Sequence, residues 1–288
     1  MPELPEVETL VRQLNRCLPG KTFKQIKVNT PKTVRPLSGP AFGRCLVGVK
    51  IKRVCRRAKI IIIELTDKQT LFIHLKMTGQ LIFVPADGQT ITGGHPQKPP
   101  SNSLPHKYTR AEFHFTDGSA LYFNDLRKFG WLKLLDNKTG KNLLADHGPE
   151  PLSKKFTVPY LTELTKRYPQ RMVKQILLDQ KLIAGLGNIY ADEACFGAKI
   201  LPTRRNNTLT PKNLADLHHE IVKVLKLAIN KKGTSVRDYV TGDGSPGGFV
   251  PYLNVYGREG EKCRRCAGQI KKIKLNGRGT HFCDRCQK

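Results

Sequence analysis

From Lys21 to Leu135 the chain is a succession of short β-type segments with no helix-length pattern between them. Lys21–Val28, Cys45–Val54, Ile60–Leu65, Leu71–Leu75, Leu81–Val84, Ala111–Phe115, Ala120–Phe123 and Trp131–Leu134 read as strands. Turn signals such as Thr66-Asp67 and Asp117-Gly118 separate several of them. Strands spaced this closely predict a mainly antiparallel sandwich or barrel. Pro85–Lys107 breaks the pattern: it carries Pro85, Pro96, Pro99, Pro100, Pro105 and a Gly-Gly, and reads as a surface excursion.

A helix precedes the strands. Val7, Leu10, Val11, Leu14 and Leu18 recur at spacings of three and four, so one face is buried. Past the Gly/Pro-rich run His147-Gly148-Pro149-Glu150-Pro151 the period becomes helical, over Val158–Arg167, Met172–Gln180, Ile189–Phe196 and Pro211–Lys231. A polar, glycine-rich connection follows before a terminal cysteine module. In 288 residues this ordering predicts an α+β protein of more than one domain.

The chain holds 50 Lys and Arg against 23 Asp and Glu, a formal charge of +27. Routine solubility does not need such an excess, which implies a polyanionic partner. The charge is spread rather than gathered in a basic amphipathic tail, favouring nucleic acid over a membrane surface. No apolar run is long enough to span a bilayer. No basic segment followed by an apolar core opens the chain, so a reducing cytoplasmic setting is expected.

In that setting Cys263-Arg-Arg-Cys266 and Cys283-Asp-Arg-Cys286 predict one structural zinc ion held by four thiolates. Two disulfides are the alternative that the compartment disfavours. Cys17, Cys45, Cys55 and Cys195 have no framework spacing and read as ordinary half-buried or buried thiols. Arg278, flanked by Gly277 and Gly279, is expected at the tip of a hairpin between the cysteine pairs, where it can grip a phosphate. Gly185-Leu186-Gly187-Asn188 opens a helix and can offer amides to a phosphate. Lys59 stands at a strand start, either facing a phosphate or solvated at an edge. His74-Leu75-Lys76-Met77-Thr78-Gly79 and Asp125-Leu126-Arg127-Lys128-Phe129-Gly130 read as two loops after strands. Met77 and Phe129 belong to the core, or, if exposed, suit wedging into a base stack.

The chain opens Met1-Pro2-Glu3-Leu4-Pro5-Glu6. With Met1 removed, Pro2 presents a secondary amine that can attack an electrophilic carbon and form an iminium ion, with carboxylates beside it for proton transfer. The same residues also make a good helix start: Pro5 suits a first turn, and Glu6 and Glu8 suit the positive end of the dipole.

Taken together, Pro2-Glu3-Leu4-Pro5-Glu6, Lys59, His74 with Met77, Arg127 with Phe129, Gly187-Asn188-Ile189-Tyr190 and the cysteine hairpin resemble bacterial formamidopyrimidine-DNA glycosylase, in order over almost the whole chain. The resemblance implies an N-terminal helix and antiparallel β-sandwich (residues 1–146), a helix–two-turn–helix domain (147–260) and a zinc finger (261–288). It implies a monomeric enzyme of base excision repair in the bacterial cytoplasm, acting on damaged double-stranded DNA. Such an enzyme excises 8-oxoguanine and formamidopyrimidines and then cleaves the strand by β,δ-elimination. Pro2 would attack C1′, Glu3 would act as the acid and Glu6 would support the site. Lys59, His74, Asn188 and Arg278 would hold phosphates around a flipped nucleotide, since C1′ is out of reach of an amine within stacked duplex. Met77, Arg127 and Phe129 would fill the gap, Arg127 meeting the orphaned cytosine, and Ser235–Phe249 would close over the lesion. The departures are the long Pro85–Lys107 stretch, Lys128 where an arginine often stands, and the high charge. The alternatives are the sister enzyme endonuclease VIII, against which Met77, Arg127 and Phe129 argue; a noncatalytic DNA-binding relative, against which Pro2 and Glu3 argue; and an RNA-binding protein, for which no aromatic platform is present. At this charge, affinity for undamaged duplex should fall on the order of 10³-fold between about 50 and 200 mM salt, read by fluorescence anisotropy; a flat response overturns the electrostatic reading.

Overall fold

The computed structural model describes residues 1–87, 90–94, 104–234 and 247–288. The chain divides into two compact units, one of residues 1–145 with 232–248, the other of residues 146–231 with 249–288.

The first unit opens with α1 (Leu4–Cys17). Its elements continue as β1 (Phe23–Val28), α2 (Gly39–Leu46), β2 (Ile51–Arg57), β3 (Ile60–Leu65), β4 (Gln69–His74), β5 (Gly79–Val84) and β6 (Ile91–Gly94), then β7 (Thr109–Phe115), β8 (Ala120–Asp125), β9 (Trp131–Asp136) and α3 (Asn137–Ala145). Among the described residues the strands form a five-stranded sheet, β1-β7-β8-β5-β6, and a four-stranded sheet, β2-β3-β4-β9. All the strand pairs are antiparallel, as the close spacing predicts. One core joins the apolar face of α1 (Val7, Leu10, Leu14, Leu18) to inward residues of both sheets, among them Ile61, Ile63, Leu81, Phe113 and Phe123. The Ile60–Ile63 run is apolar throughout because β3 is covered on both sides. Ile60 and Ile62 pack outward with Phe72 against Leu143 and Leu144 of α3.

Three short elements depart from the sequence reading. The expected strand Cys45–Val54 is split: Cys45 ends α2, and β2 begins at Ile51. The Ser38 hydroxyl caps α2 by accepting the Ala41 N–H at 3.4 Å, and Pro40 sits in the first turn, where no N–H is needed. In α3, Asp136 accepts the N–H groups of Lys138 and Thr139 at 2.8 and 2.9 Å, a cap at the end of what the apolar pattern shows only as a strand. Within the proline-rich excursion, β6 pairs with β5; residues 88–89 and 95–103 lie outside the described residues.

The second unit holds α4 (Val158–Arg167), α5 (Val173–Leu178), α6 (Asn188–Gly197) and α7 (Pro211–Asn230), with a hairpin of β10 (Lys271–Leu275) and β11 (Arg278–Phe282). Two turns join α5 to α6. In the first, Ile183 N–H closes on the Asp179 carbonyl at 2.8 Å. In the second, Gln180 clamps the backbone, accepting from Gly185 N–H at 2.9 Å and donating to the Leu186 carbonyl at 2.8 Å. Among the described residues no helix is long and apolar enough to cross a membrane.

Helix α1 lies against β6 at Gly93, where a Cβ would fall 2.2 Å from Leu10 Cδ1. Gly93→Ala should therefore lower stability by about 1–3 kcal/mol. In urea unfolding the pair Leu10→Ala with Gly93→Ala should cost less than the sum of the two single changes; strict additivity would show that this contact does not set the spacing.

Candidate active site

The N-terminal segment is buried where it enters α1: Pro2, Glu3 and Glu6 are all shielded from solvent. Glu6 fixes it. One carboxylate oxygen accepts the Glu3 N–H at 2.8 Å, and the other accepts the Thr234 N–H, also at 2.8 Å. Gly233 passes so close, at φ +86°, that a Cβ would sit 2.9 Å from the same carboxylate. The chain beside Pro2 is thus tied to the stem from which residues 235–246 depart. Those residues, which include most of the expected closing loop, lie outside the described residues.

Lys59 follows the left-handed Ala58 (φ +54°) at the tight β2–β3 turn and is only 4% exposed, so it is no solvated edge charge. His74 ends β4. Its Nδ1 accepts the Lys76 N–H at 3.0 Å, which assigns the proton of the neutral ring to Nε2. The ring packs on Trp131, centroids 5.6 Å apart. Met77 and Phe129 lie at the surface, 37% and 53% exposed, and the Arg127 guanidinium lies over the Phe129 ring at 4.7 Å. Of the two readings open for Met77 and Phe129, core or exposed wedge, the structure selects exposure.

In the second unit Asn188 is the first residue of α6. Its Nδ2 donates to the Gly279 carbonyl of β11 at 2.9 Å, linking the helix start to the hairpin. The Gly185 amide is already taken by Gln180, so the expected glycine cradle is narrower than the Gly-x-Gly pattern suggests. Arg278 is exposed, but it is not the tip of the hairpin. Asn276 and Gly277 make the turn, with φ +46° and +74°, and Arg278 opens β11 opposite Leu275.

Residues absent from the sequence reading hold this hairpin. Lys174, 1% exposed, reaches from α5 to Asp192 of α6 at 2.6 Å, to the Gly279 carbonyl at 3.1 Å and to the Thr280 hydroxyl at 2.9 Å. Asp192 also accepts the His281 N–H at 2.9 Å. Beside it, the buried Glu193 accepts N–H groups from Asn254, Val255 and Tyr256 at 2.9–3.0 Å. Burial pushes its carboxyl above the ordinary range even against these hydrogen bonds. A sequence signal existed: two adjacent acids inside the apolar helix Ile189–Phe196.

The four thiol sulfurs of Cys263, Cys266, Cys283 and Cys286 lie within 4.8 Å of one another. Cys266–Cys283 and Cys263–Cys286 are separated by 3.5 and 3.9 Å. These distances are far too long for disulfides and close to the edge of about 3.8 Å that a tetrahedron of Zn–S bonds requires. The donor set fits one zinc ion with no open position, a structural site. Cys195 is fully buried, which raises its thiol pKa and leaves it unreactive.

Comparison with known proteins places these features. Residues 1–132 match the formamidopyrimidine-DNA glycosylase N-terminal domain, residues 147–240 the H2TH domain of the same enzyme, and residues 260–288 the zinc finger found in FPG and IleRS. The chain is 40% identical over 290 residues to the formamidopyrimidine-DNA glycosylase of Pelotomaculum thermopropionicum, covering 100% of this chain and 99% of the relative. It is 42% identical over 293 residues to that of Bacillus licheniformis, each chain fully covered. Among solved structures it is similar to a Lactococcus lactis FPG mutant in complex with Fapy-dG-containing DNA, at 35% identity with TM-score 0.87 over 100% of both chains. It is also similar to Lactococcus lactis Fpg with abasic-site DNA, at 35% identity with TM-score 0.86 over 99% of both.

Asp192→Asn keeps an acceptor for His281 but leaves the Lys174 ammonium buried without a counter-charge. The expected loss is about 3–5 kcal/mol, read by chemical denaturation; a loss below about 1 kcal/mol would mean that the pair does not hold the hairpin.

Proposed function

The chain belongs to the formamidopyrimidine-DNA glycosylase family, and we propose on that footing that it is a bifunctional DNA glycosylase and abasic-site lyase acting on oxidised purines in double-stranded DNA. The observation that carries the reading is the Pro2-Glu3 segment, buried at the start of α1 and pinned by Glu6. Loss of Met1 turns the amide nitrogen of Pro2 into a secondary amine. Its lone pair forms a bond to C1′ of the extruded nucleotide, and the glycosidic electrons leave with the base, 8-oxoguanine or a formamidopyrimidine, which takes up a proton. The nitrogen gives up its N–H proton, Glu3 gives a proton to the ring oxygen as the sugar opens, and the lone pair so freed completes the iminium. Loss of a C2′ proton then expels the 3′ phosphate, a second elimination expels the 5′ phosphate to leave a one-nucleotide gap, and water hydrolyses the remaining iminium, releasing the amine and the sugar remnant as an aldehyde.

Lys59, His74, Asn188 and Arg278 are assigned to the phosphates flanking the lesion, with Lys59 and Arg278 closest to the reaction. The Nε2–H of His74 and the guanidinium of Arg278 are donors suited to phosphate oxygens. Met77, Arg127 and Phe129 are assigned to the gap left by the extruded base. The arginine meets the edge of the orphaned cytosine, and the two apolar side chains replace lost stacking. The protein acts as a monomer in the bacterial cytoplasm, held at the nucleoid by its affinity for DNA.

Borohydride reduction tests this. Protein lacking Met1, mixed with a duplex carrying 8-oxoguanine opposite cytosine, should give a covalent protein–DNA adduct mapping to Pro2. Protein that retains Met1 should give none. Tight binding without an adduct overturns the catalytic assignment, and trapping only on thymine glycol duplexes moves the chain to the pyrimidine-directed sister activity.

A further inference from the structure

Two crossings connect the sheets of the first unit at one corner. Residues 75–78 leave β4 of the four-stranded sheet and enter β5 of the five-stranded sheet; residues 126–130 leave β8 and return to β9. Because β5 pairs with β8 through Gly79 and Asp125, and β4 with β9 through His74 and Trp131, the crossings run side by side in opposite directions. The first carries Met77, the second Arg127 and Phe129. Exposed loop tips with large apolar side chains ordinarily sample many conformations.

Here a single buried carboxylate holds both. Asp125 is fully shielded from solvent. Its Oδ1 accepts the Thr78 hydroxyl, from the Met77 crossing, and the Arg127 N–H at 3.2 Å. Its Oδ2 accepts the Gly130 N–H at 2.7 Å. The Arg127 N–H is also 3.0 Å from the Thr78 hydroxyl oxygen, so the backbone of one crossing bonds directly to a side chain of the other. The carboxylate is itself fixed through its backbone, whose carbonyl accepts Arg110 Nε at 2.7 Å and whose N–H donates to the Tyr108 carbonyl at 2.9 Å. Close approach is built in on both sides. A Cβ on Gly130 would fall 2.6 Å from Phe123 and 3.1 Å from both Asp125 Oδ2 and the His74 carbonyl, and one on Gly79 would fall 2.3 Å from the Leu75 carbonyl. A buried carboxylate is costly unless its hydrogen bonds are made, and the Thr78, Arg127 and Gly130 donors to this one all belong to the two crossings.

We infer that Asp125 and Thr78 are positioning residues that join the Met77 crossing and the Arg127–Phe129 crossing into one preformed wedge, so that filling the gap and reading the orphaned base form a single coupled event. The inference rests on the assignment of Met77, Arg127 and Phe129 to that gap. Neither positioning residue touches the reacting atoms; each acts through the backbone that presents the three side chains. Ordering the loops in advance removes an entropy cost from DNA binding.

The test is a mutant cycle read with full-length, zinc-loaded protein. Met77→Ala and Phe129→Ala, singly and together, are measured in wild-type and Thr78→Val backgrounds. The readouts are fluorescence of 2-aminopurine placed next to a stable abasic analogue and single-turnover excision of 8-oxoguanine opposite cytosine or adenine. In the wild-type background the two alanine changes should be non-additive. In the Thr78→Val background they should become additive, with preference for cytosine over adenine reduced on the order of tenfold, as expected for loss of a buried hydrogen-bond bridge. Thr78→Ser, which keeps the hydroxyl, should restore both. Thr78→Val is nearly isosteric, and its fold is checked by circular dichroism. If Phe129→Ala and Arg127→Ala impair insertion while Thr78→Val behaves as wild type in every readout, the joined-wedge inference is overturned and the gap-filling assignment stands. If Met77→Ala, Arg127→Ala and Phe129→Ala all leave fluorescence and base preference unchanged, the gap-filling assignment itself fails and the inference falls with it.

Discussion

Buried carboxylates that accept backbone N–H groups organise both units of this protein. Glu6 ties the Pro2-Glu3 segment to the stem at Thr234. Asp125 holds the backbone of Arg127 and Gly130. Asp192 holds His281 of the zinc hairpin, and Glu193 gathers the amides of residues 254–256. Taking a carboxylate out of water is unfavourable by several kcal/mol unless its lone pairs are met by strong donors. Each of these acids meets that condition with backbone amides, those of Glu6, Asp192 and Glu193 including partners distant in sequence, and so each fixes a geometry that hydrophobic burial alone leaves loose. Charge-assisted bonds of this kind are short and directional, which is the property the proposed attack of an amine on a carbon needs.

The same arrangement shapes the outer field. The chain has 23 acids against 50 Lys and Arg, and the best-shielded of those acids are spent on internal hydrogen bonds. Withdrawing negative charge from the surface while leaving cations such as Arg127 and Arg278 exposed gives a more positive exterior than the formal charge alone conveys. The structural and electrostatic roles of the acids therefore coincide: what positions the site also bares the cations to a polyanion.

This explains what was legible in the sequence. The helix face Val7, Leu10, Val11, Leu14, Leu18 and the sheet-forming segments are written in local periodicity, which burial enforces directly. The zinc site is written in the spacing of Cys263, Cys266, Cys283 and Cys286, since a tetrahedron needs two tight turns. The split of Cys45–Val54 into the end of α2 and β2 was not legible, because a short apolar run satisfies either period and Ser38 with Pro40 decides the matter from outside it. The ties made by Lys174, Asp192 and Asp125 were not legible either. A hydrogen bond between residues 89 positions apart, as from His281 to Asp192, leaves no local pattern beyond a charged residue where an apolar one is expected. Likewise the exposure of Met77 and Phe129 follows from where two crossings happen to meet, and their composition alone favoured the core.

Each unit fixes its own share of the proposed site residues. In the first, the Pro2-Glu3 segment, Lys59, His74 and the paired crossings all rest on one sandwich, so their mutual spacing is set by sheet register and by Asp125 and Glu6. In the second, Asn188 and Arg278 derive their positions from α6 and the hairpin it supports. The zinc ion closes the far end of that hairpin, and the Lys174–Asp192 pair clamps it near β11's start, so Arg278 lies close to the clamped end rather than at a free tip. For the phosphate contact proposed for Arg278, an arginine supported in this way loses little conformational freedom on meeting DNA, and the binding free energy so conserved remains for bending the duplex and unstacking a base.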